Sequence, residues 1–453
     1  MEGINFYNNK LNLNEIVNGV EYKNSDESLM ICDLTELLKK YDQWIQYMPR
    51  VTPFYAVKCN DNIMVLKFLS SLGVSFDCAS KAEIEKILSI DVEPERIIYA
   101  HPTKLIGHLE YAKANNVKMM TFDTDLELFK IKENYPDAEL VLRICCEAKL
   151  ALSPLGGKFG CEPITVAPKL LELAKKLNLN IVGISFHVGS NCLDHDAYDE
   201  AISKARDVFN IGKELGFKNL NLLDIGGGFP GSDDSAFQKM CGIINKSLDE
   251  YFPGDDVRFI AEPGRYFVTS AFKLICKIHS KLDSTETESQ IPETVPNEEL
   301  YKSCIWGPTC DALDIIWDDM NLPNLSINDA FVFDEMGAYS TTLSSGFNGF
   351  PQPKTLYYYD RQYTTKDSKY ANNIIVNIDE GICSHSSCSD SNDSNDDDDN
   401  EIDSISSDDG ADYANAKLSP DYAQDQKSFD LCRICIICQK MNSKVALRIS
   451  STF

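Results

Sequence analysis

The chain has 453 residues, 43% of them hydrophobic, enough for two domains of ordinary size. Against 43 Lys and Arg stand 70 Asp and Glu, a formal charge of -27 that argues against nucleic-acid backbones and anionic membrane surfaces as partners but not against a small anionic cofactor. The opening MEGINFYNNK has no basic stretch followed by an apolar one, no 18-residue apolar run occurs, and the 16 Cys lie scattered through apolar segments (Cys78, Cys145, Cys146, Cys276), so the chain reads as cytoplasmic with reduced thiols.

Residues 1–33 read as an extended or irregular arm expected to pack with a β domain, and Asp33 is placed to cap a helix beginning at Leu34. Short β-rich runs follow at 51–57, 74–78, 96–101, 118–123, 140–144, 182–188, 221–225 and 258–261. Between them, helical periodicity covers about 61–72, 80–89, 103–115, 124–134, 163–178, 194–217 and 235–251. Eight strands alternating with helices predict an α/β fold, a (β/α)8 barrel over residues 34–270, with an open doubly wound sheet as the alternative.

A barrel makes a prediction that an open sheet does not: ligand groups should gather at the C-terminal ends of non-adjacent strands, which share one mouth. Lys58 follows the first run, Asp77 lies in the end of the second, Arg143 in the fifth, His187 in the sixth, Gly226, Gly227 and Gly228 after the seventh, and Glu262 to Arg265 after the eighth. A lysine held poorly solvated at such a mouth has a lowered pKa, and its free amine can attack a carbonyl. Taken alone, Lys58 is more simply a solvated residue ending a strand; the other strand-end groups favour the site.

Residues 271–382 read as a smaller, mainly β domain with a polar linker at 281–300 and β-like runs at 330–333 and 355–359. Residues 383–412 are an acidic low-complexity segment, with 10 acidic residues and no Lys or Arg between Cys383 and Gly410, expected to be disordered. In the C-terminal tail, 413–453, Cys432-x2-Cys435-x2-Cys438 is read as ordinary apolar clustering, so no metal is expected.

Ten stretches then occur in a familiar order: PFYAVKCN (53–60), FDCASKAE (76–83), LVLRI (140–144), KFG (158–160), SFHVGS (185–190), LLDIGGGFPG (222–231), AEPGRY (261–266), WGPTCDALD (306–314), MGAY (336–339) and FNGF (347–350). Through them the chain resembles the eukaryotic-type ornithine decarboxylases, pyridoxal-phosphate-dependent barrel enzymes of the Orn/Lys/Arg/diaminopimelate group. The resemblance implies pyridoxal 5'-phosphate as cofactor and decarboxylation of L-ornithine to putrescine and CO2, a carbon-carbon lyase reaction that opens polyamine biosynthesis. By the same resemblance Lys58 matches the lysine that bonds the cofactor, and Glu262 matches the carboxylate on its pyridine nitrogen. Gly226, Gly227, Gly228, Arg265, Ser190 and Tyr339 match phosphate contacts, the glycines through three backbone N–H groups and the positive end of the helix that follows. His187 matches the ring stacked on the pyridine face, while Asp77, Glu83 and Arg143 match neighbouring positions.

Cys310 and Asp311 match residues that the family lends to the neighbouring subunit, Cys310 to return a proton to the α-carbon and Asp311 to hold the distal ammonium; a homodimer with shared sites is implied. Lysine or a related basic amino acid is the alternative substrate. An antizyme-inhibitor-like regulator is the alternative of another class, and an antizyme-like protein the corresponding partner. Two departures stand out. Between Ala271 and Ser303 the family carries a longer segment with a Tyr-Val-Asn-Asp-Gly-like core and a second diamine-binding Asp; only the polar linker stands here, which should expose strand edges. Asn191 replaces a family Gly, a mild change because Asn tolerates left-handed backbone.

Overall fold

The computed structural model describes residues 3–8, 10–146, 151–153, 157–192, 194, 196–254, 256–282, 300–363, 368, 370, 432–436 and 447–450. The acidic segment 383–412, all but the ends of linker 281–300, and Cys438 lie outside the described residues.

Eight parallel strands close into a barrel: Val51–Ala56, Ser75–Cys78, Ile97–Tyr99, Met119–Phe122, Glu139–Arg143, Asn180–Ser185, Leu222–Asp224 and Arg258–Ala261. Closure is direct, since Phe259, Ile260 and Ala261 pair in register with Val51, Thr52 and Pro53, which excludes the open sheet. Strands covered on both faces must be apolar nearly throughout, and these are. Phe54, Ile98, Met119, Val141, Val182, Leu222 and Ile260, drawn from seven strands, form one cluster separate from the larger core between strands and helices. That cluster plugs the barrel and leaves the mouth to polar groups.

Several connecting helices start where a short polar side chain receives their first free N–H groups. Asn62 accepts from Met64 N, Thr124 from Glu127 N, and Asp233 from Ala236 N. Ser80 accepts from Glu83 N at 3.2 Å while Glu83 Oε2 accepts from Ala79 N at 2.6 Å, so Glu83 closes a helix start at the mouth. Asp33 caps Leu34–Tyr47 as its position predicts.

A second sheet runs in the order Ile4–Tyr7, Lys354–Asp360, Leu29–Asp33, Phe272–Leu282, Cys432–Ile436, Tyr301–Trp306 and Ile315–Leu322, with Ala330–Phe333 pairing onto Phe272–Leu282 and onto Leu447–Ser450. The arm thus supplies two strands, beside the short helices Leu13–Asn18 and Val20–Lys23. The segment read as a tail differs more. Cys432–Ile436 lies between Phe272–Leu282 and Tyr301–Trp306 and pairs with both, so the edges expected from the shortened linker are covered along these residues. A β-rich run far along the chain satisfies backbone groups that a local hairpin would otherwise pair. A chain ending at residue 431 is therefore expected to melt at lower temperature and to self-associate, measured by calorimetry and sizing chromatography.

Candidate functional site

Lys58 sits in a short 3-10 turn, Val57–Cys59, immediately after the first barrel strand. Its Nζ is hydrogen-bonded and ion-paired to Asp77 Oδ2 from the second strand. The Asp77 side chain is 0% exposed and that of Lys58 38% exposed, so the carboxylate is the buried anchor and the amine reaches into the opening. Burial by itself pulls the Lys58 amine down, but the negative charges of Asp77 and Glu262 outweigh it, and the amine is held above the ordinary lysine range. This corrects the expectation of a lowered pKa: the neighbours that desolvate Lys58 also stabilise its cation. Asp77→Asn is expected to shift reaction of the cofactor-free chain's Lys58 with an amine-modifying reagent to lower pH, since less charge then favours the ammonium. Peptide mass spectrometry across pH would read it.

A pocket gathers Lys58, His187, Ser190, Gly228, Glu262, Arg265 and Tyr339, with Asn191 at its wall. Asn191 has φ +48°, the left-handed geometry anticipated for it. His187 Nδ1 accepts the Gly189 N–H at 3.0 Å. Burial, then the cations Arg143 and Lys58, push its pKa well below the usual value, so the ring is neutral. Arg143, ending the fifth strand, lays its guanidinium 5.0 Å from the centroid of Phe159, in the KFG motif.

Arg265 Nε donates to Ser190 Oγ at 2.9 Å, and the guanidinium lies 4.8 Å from the centroid of Tyr339. Tyr339 arrives from the sheet domain in a left-handed turn, φ +55°, fixed by its N–H on Cys59 O at 2.9 Å. Beside it Asn60 Nδ2 donates to Gly337 O at 2.8 Å. Two bonds thus tie the lysine turn to the tyrosine turn, and Asn60, inside the PFYAVKCN motif, reaches a partner 277 residues away.

The glycine loop is shaped by close approach. A Cβ on Gly226 would lie 2.1 Å from Phe186 O, and one on Gly227 2.6 Å from Glu262 O and 2.9 Å from His187 Nε2. Gly226 and Gly228 have φ +64° and +122°. The Gly226 N–H is taken by Asp224 Oδ1 at 2.9 Å, so three glycine N–H groups do not face a ligand together. Nor does a helix follow directly: the next begins at Asp234, its first turn capped by Asp233.

Cys310 and Asp311 are exposed and do not line this chain's pocket. Their loop is held from behind by Asp314, 5% exposed, whose Oδ2 accepts from Thr309 N at 3.0 Å and Thr309 Oγ1 at 2.6 Å. Cys310 N donates to Asn348 Oδ1 at 2.8 Å, and Asp311 Oδ1 accepts from Leu313 N at 2.9 Å.

The donor set fits pyridoxal 5'-phosphate. Lys58 offers an amine; Glu262, 7% exposed, offers a carboxyl; Arg265, Ser190, Tyr339 and the Gly228 backbone line the same pocket with donors suited to a phosphate. Asp77 Oδ1 is buried and has no hydrogen-bond partner among the described residues.

Comparison with known proteins agrees. Residues 34–269 match the family described as pyridoxal-dependent decarboxylase, pyridoxal binding domain, and residues 238–337 match the pyridoxal-dependent decarboxylase, C-terminal sheet domain. The chain is 43% identical over 386 residues to ornithine decarboxylase 2 of Drosophila melanogaster, covering 78% of this chain and 98% of that one. It is also 43% identical over 384 residues to antizyme inhibitor 2 of Xenopus laevis, covering 76% and 84%. Among solved structures, the arginine decarboxylase of Paramecium bursaria Chlorella virus superimposes with a TM-score of 0.71 at 36% identity, covering 76% of this chain and 100% of that one.

Proposed function

This chain belongs to the pyridoxal-dependent decarboxylases, and from that membership we propose that its barrel site converts L-ornithine to putrescine and CO2. The observation that carries the reading is the pairing of Lys58 with a buried Asp77 in a pocket that also holds Glu262 and Arg265. When bound, the cofactor supplies a protonated pyridine ring that accepts the electron pair left as CO2 departs.

The chain's own groups do the rest. Lys58 provides the amine that holds the cofactor and is exchanged for the substrate's α-amine. Asp77 Oδ2, already in contact with Lys58 Nζ, is placed to take the proton the amine must lose. With the cofactor bound, Glu262 would set its carboxyl against the pyridine nitrogen, where a negative charge would keep that nitrogen protonated. Arg265, Ser190, Tyr339, Gly227 and Gly228 hold the phosphate. His187, held neutral by burial, would cover a face of the cofactor ring without adding charge. Cys310 and Asp311, too exposed to complete their own chain's pocket, serve the site of a second copy, Cys310 protonating the α-carbon and Asp311 binding the distal ammonium. The active form is then a homodimer. Among the described residues no helix is long and apolar enough to cross a membrane.

The test is release of labelled CO2 from carboxyl-labelled L-ornithine by the 453-residue chain with pyridoxal phosphate. L-lysine is the competing substrate; one methylene is discriminated by only about 1–3 kcal/mol. Equal 43% identity to an antizyme inhibitor supports a second reading, a regulator that sequesters an antizyme-like partner. Tight binding of such a partner with no CO2 release would favour it.

A further inference from the structure

Asp224 ends the seventh barrel strand and has none of the roles assigned above. It is 1% exposed; Oδ1 accepts the Gly226 N–H at 2.9 Å, while Oδ2 is buried and meets no donor among the described residues. A sealed carboxylate oxygen without a donor is rare in a native fold and calls for a reason. The group beside it is a second acid. Glu262 stands on the neighbouring strand end, two residues beyond Ile260, the register partner of Asp224, so the two acids sit side by side at the mouth and each acts on the other's ionisation. The two strand ends are locked by Ile225 N–H on Ile260 O at 2.9 Å and Glu262 N–H on Gly226 O at 2.6 Å. Two carboxyls can hydrogen-bond to each other only while one of them carries a proton. Burial, then the charges of Asp224 and Asp77, hold Glu262 well above the ordinary carboxylate range. Burial foremost pushes Asp224 up to about 7. Lys58 from the first strand, Asp77 from the second and Arg143 from the fifth are the other charged groups facing the pair.

We propose that Asp224 is a positioning residue that shares one proton with Glu262 and, once a cofactor ring occupies the pocket, keeps that proton on Oδ2 and donates it to Glu262, fixing the carboxylate that faces the ring nitrogen. The proton moves within the pair, from the Glu262 carboxyl to Asp224 Oδ2. No proton enters or leaves, and the pair carries a single negative charge before and after. The inference rests on the reading of Glu262 as the partner of the pyridine nitrogen. It distinguishes Asp224 from an ionised second charge and from a mere anchor for Gly226: the group that matters is a neutral donor.

The probe is pyridoxal phosphate itself, titrated by fluorescence into the full-length, cofactor-free chain between about pH 7 and about pH 9. Asp224→Asn keeps an acceptor for Gly226 and offers an amide N–H where the shared proton would sit. It is expected to bind within about twofold of the parent near neutrality, and to lose less affinity than the parent as pH rises, having no proton to give up. Asp224→Ala is expected to bind about tenfold or more weakly, the worth of one hydrogen bond to a charged group. Asp224→Asn binding as poorly as Asp224→Ala, or following the parent's pH profile, would overturn the proposal, as would an Asp224→Ala chain with parental affinity. If Asp224→Ala fails to fold, the isosteric Asn comparison still decides. Glu262→Gln separates the premise: parental affinity with an unchanged cofactor absorption band in that variant removes Glu262 from the ring nitrogen, whatever Asp224 does.

Discussion

Lys58→Ala is expected to lower ornithine turnover by about 10^3-fold or more, since the same amine both exchanges with substrate and moves protons. The loss should fall on kcat, and an excess of a small free amine should restore a little of it, because the variant keeps Asp77 and a space where the side chain was. Labelled CO2 release with and without added amine measures both. Putrescine formation at the parental rate in the purified variant would exclude Lys58 from the chemistry. A silent parent chain would instead favour the regulatory reading.

The second large effect concerns the glycine loop. Gly226→Ala sets a Cβ 2.1 Å from a backbone oxygen, Phe186 O, at φ +64°. Neither partner is a flexible side chain, so the loop itself must move, at about 2–5 kcal/mol for overpacking plus left-handed strain. Displacement of Gly226 also disturbs its bonds to Asp224 and Glu262, so cofactor affinity should fall with stability. Gly73→Ala is the control: φ +86° but nothing within 4 Å of its Cβ, hence strain of about 1 kcal/mol alone. Thermal melts and pyridoxal phosphate titrations of the two variants make the comparison. Equal losses would mean that backbone conformation, not close approach, dictates glycine at position 226.

The barrel was legible because its signal is periodic and repeated. Eight runs of β-branched and aromatic residues, separated by seven stretches of helical periodicity, leave few other ways to bury their apolar faces. Strand-end chemistry was legible for the same reason: once the strands are placed, Lys58, His187 and Glu262 must share a mouth. Asn60, Asp224 and Asp314 were harder to see, although each lies inside a quoted motif. Asn60 bonds Gly337, 277 residues away, whereas the bonds of Asp224 to Gly226 and of Asp314 to Thr309 are local. The spacing of Asp224 two residues before Gly226 is an Asx-turn signal, but that it also faces a second acid is not written in the spacing.

What the sequence by itself determined is the alternation of strands and helices over residues 34–270 and the reactive groups at the strand ends, since local periodicity and strand ends are properties of neighbouring residues; closure followed from the pairing of the last strand with the first. Tertiary structure alone decided the sign of the Lys58 shift, because desolvation and two carboxylates act on one amine and only their distances say which prevails. It also decided that Cys432–Ile436 enters the sheet between Phe272–Leu282 and Tyr301–Trp306, since strand pairing depends on which backbone edges meet in space rather than on separation along the chain.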